Sequence, residues 1–501
     1  MKKFVTLLTT LLILLVPLIS CKKDAGNNPP GSSVASGDIS GDENSETNEP
    51  PYSLPERDYK WRNFNILIPP GKVWEFEEHA VNTDLLNSLI VQRNNRVEFA
   101  YKVSLNYIKK GNDASEYQAV LNAEMTGQDG EYDMCFYPNV YDTSASLIVN
   151  SQYFYNLTDL DYIDLSQNWW VQGWNDPCTI NGKLYGAVGY GTVQPMSGAV
   201  GVFFNKDIYA EVFADSAQGF DSNYDSLYSL VENDAWTFEQ MSAMSEMATF
   251  DVDGNGIMNE LDRYGLTADF KGTYLLYSMG SEYVIPDEEE GYVLNFGADH
   301  NLDVFEKLYT FLTGGSFRYT DDMFTNNKSF TDGLALFNLN SFDNGNRIRM
   351  GATSFDYGIL PYPKYDTEQT DYITINASMS YFSIAKTVDD LEFSQIMMNA
   401  FNYYSLEIIR PKFADTVLKY GISQEAKDAK MIDLIFDSLT PDFSYIFRAT
   451  LDHHDYHIYN MIVQPSTQKY KTYSTFIKGN TDYWQKQLDT ILGKTTAKET
   501  D

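Results

Sequence analysis

The stretch DVDGNGIMNELD, residues 251 to 262, places oxygen-bearing groups at the spacing of a calcium loop. Such a loop of about twelve residues needs oxygens at positions 1, 3, 5, 7, 9 and 12 and a sharp turn at position 6. Asp251, Asp253, Asn255, Asn259 and Asp262 fill five of these positions, Ile257 supplies a carbonyl at the sixth, and Gly256 stands at the turn. Asp262 replaces the usual Glu and is one methylene shorter, which reduces its reach for two-oxygen coordination. Three Asp so close together repel one another unless a cation lies between them, so the loop predicts bound calcium. Sensor loops come in pairs between helices that open on binding. This loop is single. A helical repeat of Phe238, Met241, Met244 and Met247 behind Thr237 leads into it, and RYGLTADF, reading as the start of a strand, leads out. The ion is therefore expected to be a structural clip.

Other reactive groupings are sparse. HHDYH sets His453, His454 and His457 at helical spacing, but without an H-E-x-x-H pattern or flanking Cys it reads as a solvated helix face. No Walker loop, G-x-S-x-G or G-x-G-x-x-G occurs, which removes the NTPase, α/β-hydrolase and Rossmann readings. Catalytic residues are therefore expected to be none. A carboxylate pair for glycoside hydrolysis would be invisible among 70 acidic residues, so a lipid-anchored glycan-degrading enzyme stands as the alternative function.

The first twenty residues join Lys2 and Lys3 to a short apolar run ending in LISC, the pattern of a secretory signal. A Cys directly after Leu18, Ile19 and Ser20 resembles a bacterial lipobox, which implies a signal over 1–20, lipidation with palmitate at Cys21 and an extracytoplasmic protein anchored to the cell membrane. Residues 21–59 are rich in Gly, Ser, Asn, Pro and acid, a composition that suits a disordered tether. The chain carries 36 basic and 70 acidic residues, a net −34, and loss of Lys2 and Lys3 takes this to −36. With no basic stripe to displace phosphate counterions, nucleic acid is excluded as a partner. Cys135 and Cys178 carry no redox motif and read as buried single thiols.

These residues need a scaffold to hold them. Roughly 430 residues after the tether is too long for one core and suits two. FNILIP, a helix capped by Thr83 with Leu86, Leu89, Ile90, Val97 and Tyr101 on one face, VSLNYI, a helix over 115–125, and YDMCFYP alternate as β-α-β-α-β. That order predicts an α/β fold with a parallel sheet covered by helices. YGILPYP and YITINASMSYFSIA read as later strands, between helices over 391–406 and 473–492.

Taken in order, NILIP, QRNNRVE, YDMCFYP, NGKLYGAVG, GVFFNKDIY, LVENDAWTFEQM, the calcium-type loop before YGL, and YGILPYPKYDTEQTDY resemble the extracellular solute-binding proteins of ABC importers, in the carbohydrate-type, maltose-binding-protein-like branch. The likeness runs from about Asn65 to Leu492. Two departures are Asp234 and Ala235, where relatives turn on Gly, and MGATSFDYG, which lacks the R-x-M-E that commonly precedes this strand. The resemblance implies a two-lobed periplasmic-binding-protein-like (type II) fold, a hinge and a ligand cleft between the lobes. Its crossings map near Val200–Asn205, Asn340–Gly358 and Leu406–Pro411. Lobe one would be 60–201 with 351–405, lobe two 202–350 with 406–494, and 495–501 a tail. The implied function is capture of a solute, a sugar or oligosaccharide, by a monomer that closes around it and delivers it to membrane ABC permease subunits. In doubly wound lobes the ligand lies beyond the carboxyl ends of strands. Sugars stack on aromatic rings and hydrogen-bond to Asp, Asn and Gln, so the candidate ligand-binding residues are Trp74, Tyr137, Trp169, Trp170, Trp174, Asp142, Gln194 and Asp343.

Overall fold

The computed structural model describes residues 54–80, 83–111, 113–126, 130–138, 153–215, 219–343, 353–377 and 379–494. Asp142, the expected signal and most of the expected tether lie outside the described residues. Two sheets organise the rest.

The first sheet contains β1 (Arg62–Ile68), β2 (Val103–Lys109), β3 (Met134–Pro138) and, from far along the chain, the strand Ser380–Ser383, in the order Ser380–Ser383, β3, β1, β2. β1 pairs in parallel with both β2 and β3, while Ser380–Ser383 runs antiparallel to β3. Parallel neighbours require a crossover. The helix Asp84–Tyr101 supplies the one between β1 and β2, with the Thr83 hydroxyl accepting the Leu86 N–H at 3.2 Å. Lys102 then takes a left-handed conformation (φ 52°) that ends the helix and turns the chain into β2.

The second sheet contains β4 (Val200–Asn205), β5 (Tyr264–Ala268), and strands Phe317–Tyr319, Ala335–Ser341 and Tyr357–Leu360. Ala335–Ser341 is its centre, antiparallel to β4 and parallel to β5. All seven of its residues are buried, as a strand covered on both faces must be. Trp236 packs here, its indole N–H donating to the Pro361 carbonyl at 2.9 Å and its ring 5.7 Å from Phe337.

One lobe boundary moves. Tyr357–Leu360, expected in lobe one, pairs antiparallel with β4, Tyr357 opposite Asn205 and Leu360 opposite Val202, and so belongs to the second sheet. An apolar run such as YGIL specifies a buried strand without naming its neighbours. The chain returns to the first sheet only between Thr374, bridged to Leu439, and Ser380. β4 itself begins at Val200, close to the expected first crossing. The long expected strand from Tyr372 onward reduces to Ser380–Ser383 and isolated bridges.

The HHDYH segment also differs from expectation. His454 and Asp455 are fully buried, while His453 and His457 are partly buried. His453 stands at the helix start in a left-handed conformation, off the face the spacing suggested. Burial pushes the His454 imidazole down to about 4, so it sits neutral in an aromatic cage of Tyr283 and Phe296. Cys135 and Cys178 are buried thiols that form no disulfide.

Candidate functional site

The first expected site region follows β1. Pro69 and Pro70 stop the strand and start a short 3-10 turn, Pro70–Glu75, whose backbone carries Lys72, Trp74 and Glu75. Lys72 and Trp74 are partly buried, and Glu75 is 1% exposed. Lys72 Nζ approaches a Glu75 carboxylate oxygen to 3.7 Å, and the Thr192 hydroxyl and the Arg93 guanidinium also act on this carboxyl. Burial pushes the Glu75 carboxyl up to about 7, with Lys72 drawing it back, the charge of Asp343 raising it further and the Thr192 hydroxyl lowering it.

Arg93, on the helix Asp84–Tyr101, fixes this turn. It is fully buried and donates to the carbonyls of Gly191 (3.0 Å) and Glu75 (3.3 Å) and to Ser405 Oγ (2.8 Å), with its guanidinium 4.1 Å from the Phe401 ring centre. Four segments distant in sequence are thereby tied together. Gly191 must be Gly, because a Cβ there would come within 2.6 Å of the Phe382 ring and 2.8 Å of Asn402 Oδ1. Its neighbour Thr192 is buried, and Gln194 begins the short helix Gln194–Ser197. The Gln194 side chain accepts from Ser380 Oγ, and its carbonyl accepts from Asn376 Nδ2 at 3.0 Å. Gln194 is thus 2% exposed and engaged in joining the segment before β4 to the one entering Ser380–Ser383. Asp343, just beyond Ala335–Ser341, is exposed and accepts from Ser341 Oγ.

Four of the expected aromatic contacts are packed into the core. Trp169 donates its indole N–H to Asn399 Oδ1 at 3.0 Å, and Trp174 donates to the Tyr381 hydroxyl at 3.1 Å. Trp170 is 1% exposed. Tyr137 bonds Ser383 Oγ at 2.6 Å and stacks on Phe154, and burial pushes its phenol well up. A ring enclosed on all sides offers no face for a sugar to stack on. Trp74 alone of the five remains at the edge of the core. The arrangement brings Trp74 and Asp343 toward one region, with Lys72, Glu75, Arg93 and Thr192, none of which the sequence had singled out. An acid in a loop reads by default as solvated, which is why Glu75 does not stand out in the sequence.

The acidic loop lies in the second sheet's part of the molecule, between the helix Phe238–Ala248 and β5. Oxygens of Asp251, Asp253 and Asp262 all come within 4.8 Å of one another. Asp262 is fully buried and accepts the N–H groups of Val252 and Asn259, both at 2.8 Å. Asp251 accepts from Gly256 (2.6 Å) and Gly254 (2.8 Å), bonds that hold its carboxyl below the usual range. Gly254 and Gly256 supply the positive φ values, 68° and 78°, that fold the loop around these oxygens.

No protein-family model and no curated protein sequence matches the chain. Solved structures do. A solute-binding protein of an ABC transporter from Thermotoga lettingae, bound with alpha-D-tagatose, covers 85% of this chain and 100% of its own at TM-score 0.52 and 13% identity. The GacH receptor of Streptomyces glaucescens, solved unliganded and with acarbose, covers 86% and 99% at TM-score 0.54 and 12% identity. UgpB of Mycobacterium tuberculosis in complex with glycerophosphocholine covers 86% and 98% at TM-score 0.52 and 15% identity.

The fold is that of the ABC-transporter solute-binding proteins. Mixed α/β architecture around two sheets agrees with the two-lobed type II fold expected from the sequence. In a solute-binding-protein fold the region beyond the carboxyl ends of β1 and Ala335–Ser341 is where a ligand is sought, and Glu75 and Asp343 stand beyond those two ends. Among the described residues no helix is long and apolar enough to cross a membrane.

Proposed function

We propose that the chain captures a small solute, a sugar or sugar-like polyol, outside the cytoplasm and presents it to the permease of an ABC importer without chemical change. The fold likeness, end to end over solute-binding proteins, carries this reading. Tagatose and acarbose in two of those structures favour a hydroxyl-rich ligand. Capture works by hinge closure: a solute with higher affinity for the closed arrangement shifts the population toward it. Thermal-shift screening of a sugar and small-solute library on the purified chain, with recovery of each hit, tests the reading. A stabilising solute recovered intact supports capture; its hydrolysis makes the protein an enzyme.

The chain is anchored by lipid at Cys21 and acts as a monomer on the outer face of the cell membrane. Cys21→Ala is expected to move the protein out of the membrane fraction or leave the signal uncleaved. Unchanged palmitate labelling and membrane retention would count against the anchor.

Calcium is held by Asp251, Asp253, Asn255, the Ile257 carbonyl, Asn259 and Asp262. The fit rests on three carboxylates within 4.8 Å of one another, one of them buried. A ligand of the folded state alone stabilises by about 2.7 kcal/mol at roughly 100 times its dissociation constant. Chelation should therefore lower the melting temperature. Asp253→Asn should abolish that response while barely changing the stability of the metal-free protein, because Asp253 is exposed and its hydrogen bonds with Asn255 stay within the loop. A melting temperature indifferent to chelation removes the clip.

A further inference from the structure

The chain enters the first sheet through a turn that its own residues disfavour. Between Tyr59 and Arg62 the turn closes with the Arg62 N–H donating to the Tyr59 carbonyl at 3.0 Å, and both central residues are left-handed, Lys60 at φ 53° and Trp61 at φ 63°. Asn and Gly take such positions without strain, and a bulky side chain there is an outlier. Lys102, whose carbonyl accepts the Trp61 N–H, is left-handed too, so three of the seven such non-glycine residues among the described residues meet at this spot. Strain of this kind persists where the fold must hold a side chain in a particular place. What the turn holds out is an indole. Trp61 is 51% exposed, and Phe99, 60% exposed, stands edge-on to it at 5.9 Å. Lys102 Nζ lies 5.5 Å from the first ring and 5.7 Å from the second.

This surface is also where the described residues begin. Leu54, Pro55, Glu56, Arg57 and Asp58 border, with Lys102, a groove of about 680 Å³. On the lipid-anchor reading above, residues 22–53 join this edge to Cys21. A tether of that length spans about 30 Å when relaxed, against a radius of gyration of about 22 Å for a folded body of roughly 440 residues, so the face at its root meets the bilayer most often. We propose that Trp61 and Phe99 seat this face in the headgroup layer of the membrane that holds the anchor. An indole, with its apolar body and polar N–H, suits that layer, and Lys102 keeps its ammonium at the phosphates as the rings enter. The contact is apolar rather than charge-led. Arg57, Arg96 and Lys102 stand against Glu56, Asp58 and Glu392, Lys60 and Glu98 add one of each sign, and the net −34 opposes approach to anionic lipid. Two rings alone bind weakly, but the anchor makes the contact intramolecular, at an effective concentration on the order of millimolar.

The chain from Cys21 onward, its first thiol coupled to a maleimide lipid, is placed on phosphatidylcholine vesicles with and without brominated acyl chains; Cys135 and Cys178 are buried and stay uncoupled. Bromine should quench part of the tryptophan emission of the wild-type sequence and none in Trp61→Phe, because the other six tryptophans are buried or partly buried. Phe99→Ser should reduce the quenching, and salt raised from about 0.1 to 1 M should leave it unchanged. Trp61→Gly, whose backbone takes φ 63° freely, should melt no lower than wild type in solution. Absent quenching in the wild type, quenching that persists in Trp61→Phe, or quenching that needs anionic lipid and fades with salt overturns the proposal. A lower melting temperature in Trp61→Gly does the same, since the ring would then be packing. Greater access of aqueous acrylamide to Trp61 once residues 22–53 are deleted would give the rings to the tether instead, and overturns it as well. The synthetic anchor keeps two failures apart: palmitate missing from Cys21 in cells removes the anchor and the proposal with it, whereas palmitate present without quenching removes the membrane contact alone.

Discussion

Glu75→Gln should raise the melting temperature near pH 8 and leave it nearly unchanged near pH 4. The folded carboxyl titrates at about 7 against an ordinary 4.5, so the folded state binds more protons than the unfolded one between those values. Stability of the wild-type chain therefore falls as pH rises through that window, and the full penalty is present above it. A shift of this size corresponds to about 3 kcal/mol, taken as an upper figure because the Gln amide needs partners of its own. Comparing the thermal unfolding of the two proteins from pH 4 to 8 reads the difference directly. A gain that is constant with pH, or largest in acid, would show that ionisation of Glu75 is not its source.

The second large effect is expected at Arg93. Arg93→Met keeps much of the volume and the packing on Phe401 but removes the donors to Gly191, Glu75 and Ser405. Leaving buried acceptors without partners and withdrawing a buried charge should destabilise by about 3–5 kcal/mol. Because the same guanidinium joins the turn Pro70–Glu75 to the segment before β4, solute binding should weaken as well. Denaturant midpoints measure the first effect and calorimetry the second. A loss under about 1 kcal/mol would mean that water takes over the donors and that Arg93 does not fix the turn. Arg93→Lys, which keeps the charge but lacks the planar fork, should recover only part of the stability.

Much of this molecule is written locally. β1, the helix after Thr83, β2 and β3 lie close to where apolar periodicity put them, because a cap, a 3.6-residue repeat and a short apolar run are properties of neighbouring residues. The acidic loop is equally local: twelve consecutive residues contain its Asp side chains and both turning glycines, so its oxygens converge whatever the rest of the chain does. What the sequence left open was decided by distance along the chain. YGIL had the right period for a strand, but its place beside β4 depends on a partner some 150 residues earlier, and apolar side chains carry no label for the sheet they join. Trp169, Trp170 and Trp174 have the composition of a sugar platform, yet Asn399 and Tyr381 accept two of their N–H groups and packing encloses all three rings. Whether an aromatic ring or a charged side chain is core or site depends on what the folded chain lays over it. Glu75 and Arg93 are charged residues of a kind that usually faces water, and only the convergence of residues from four distant segments makes one of them a buried acid and the other the fork that holds its turn.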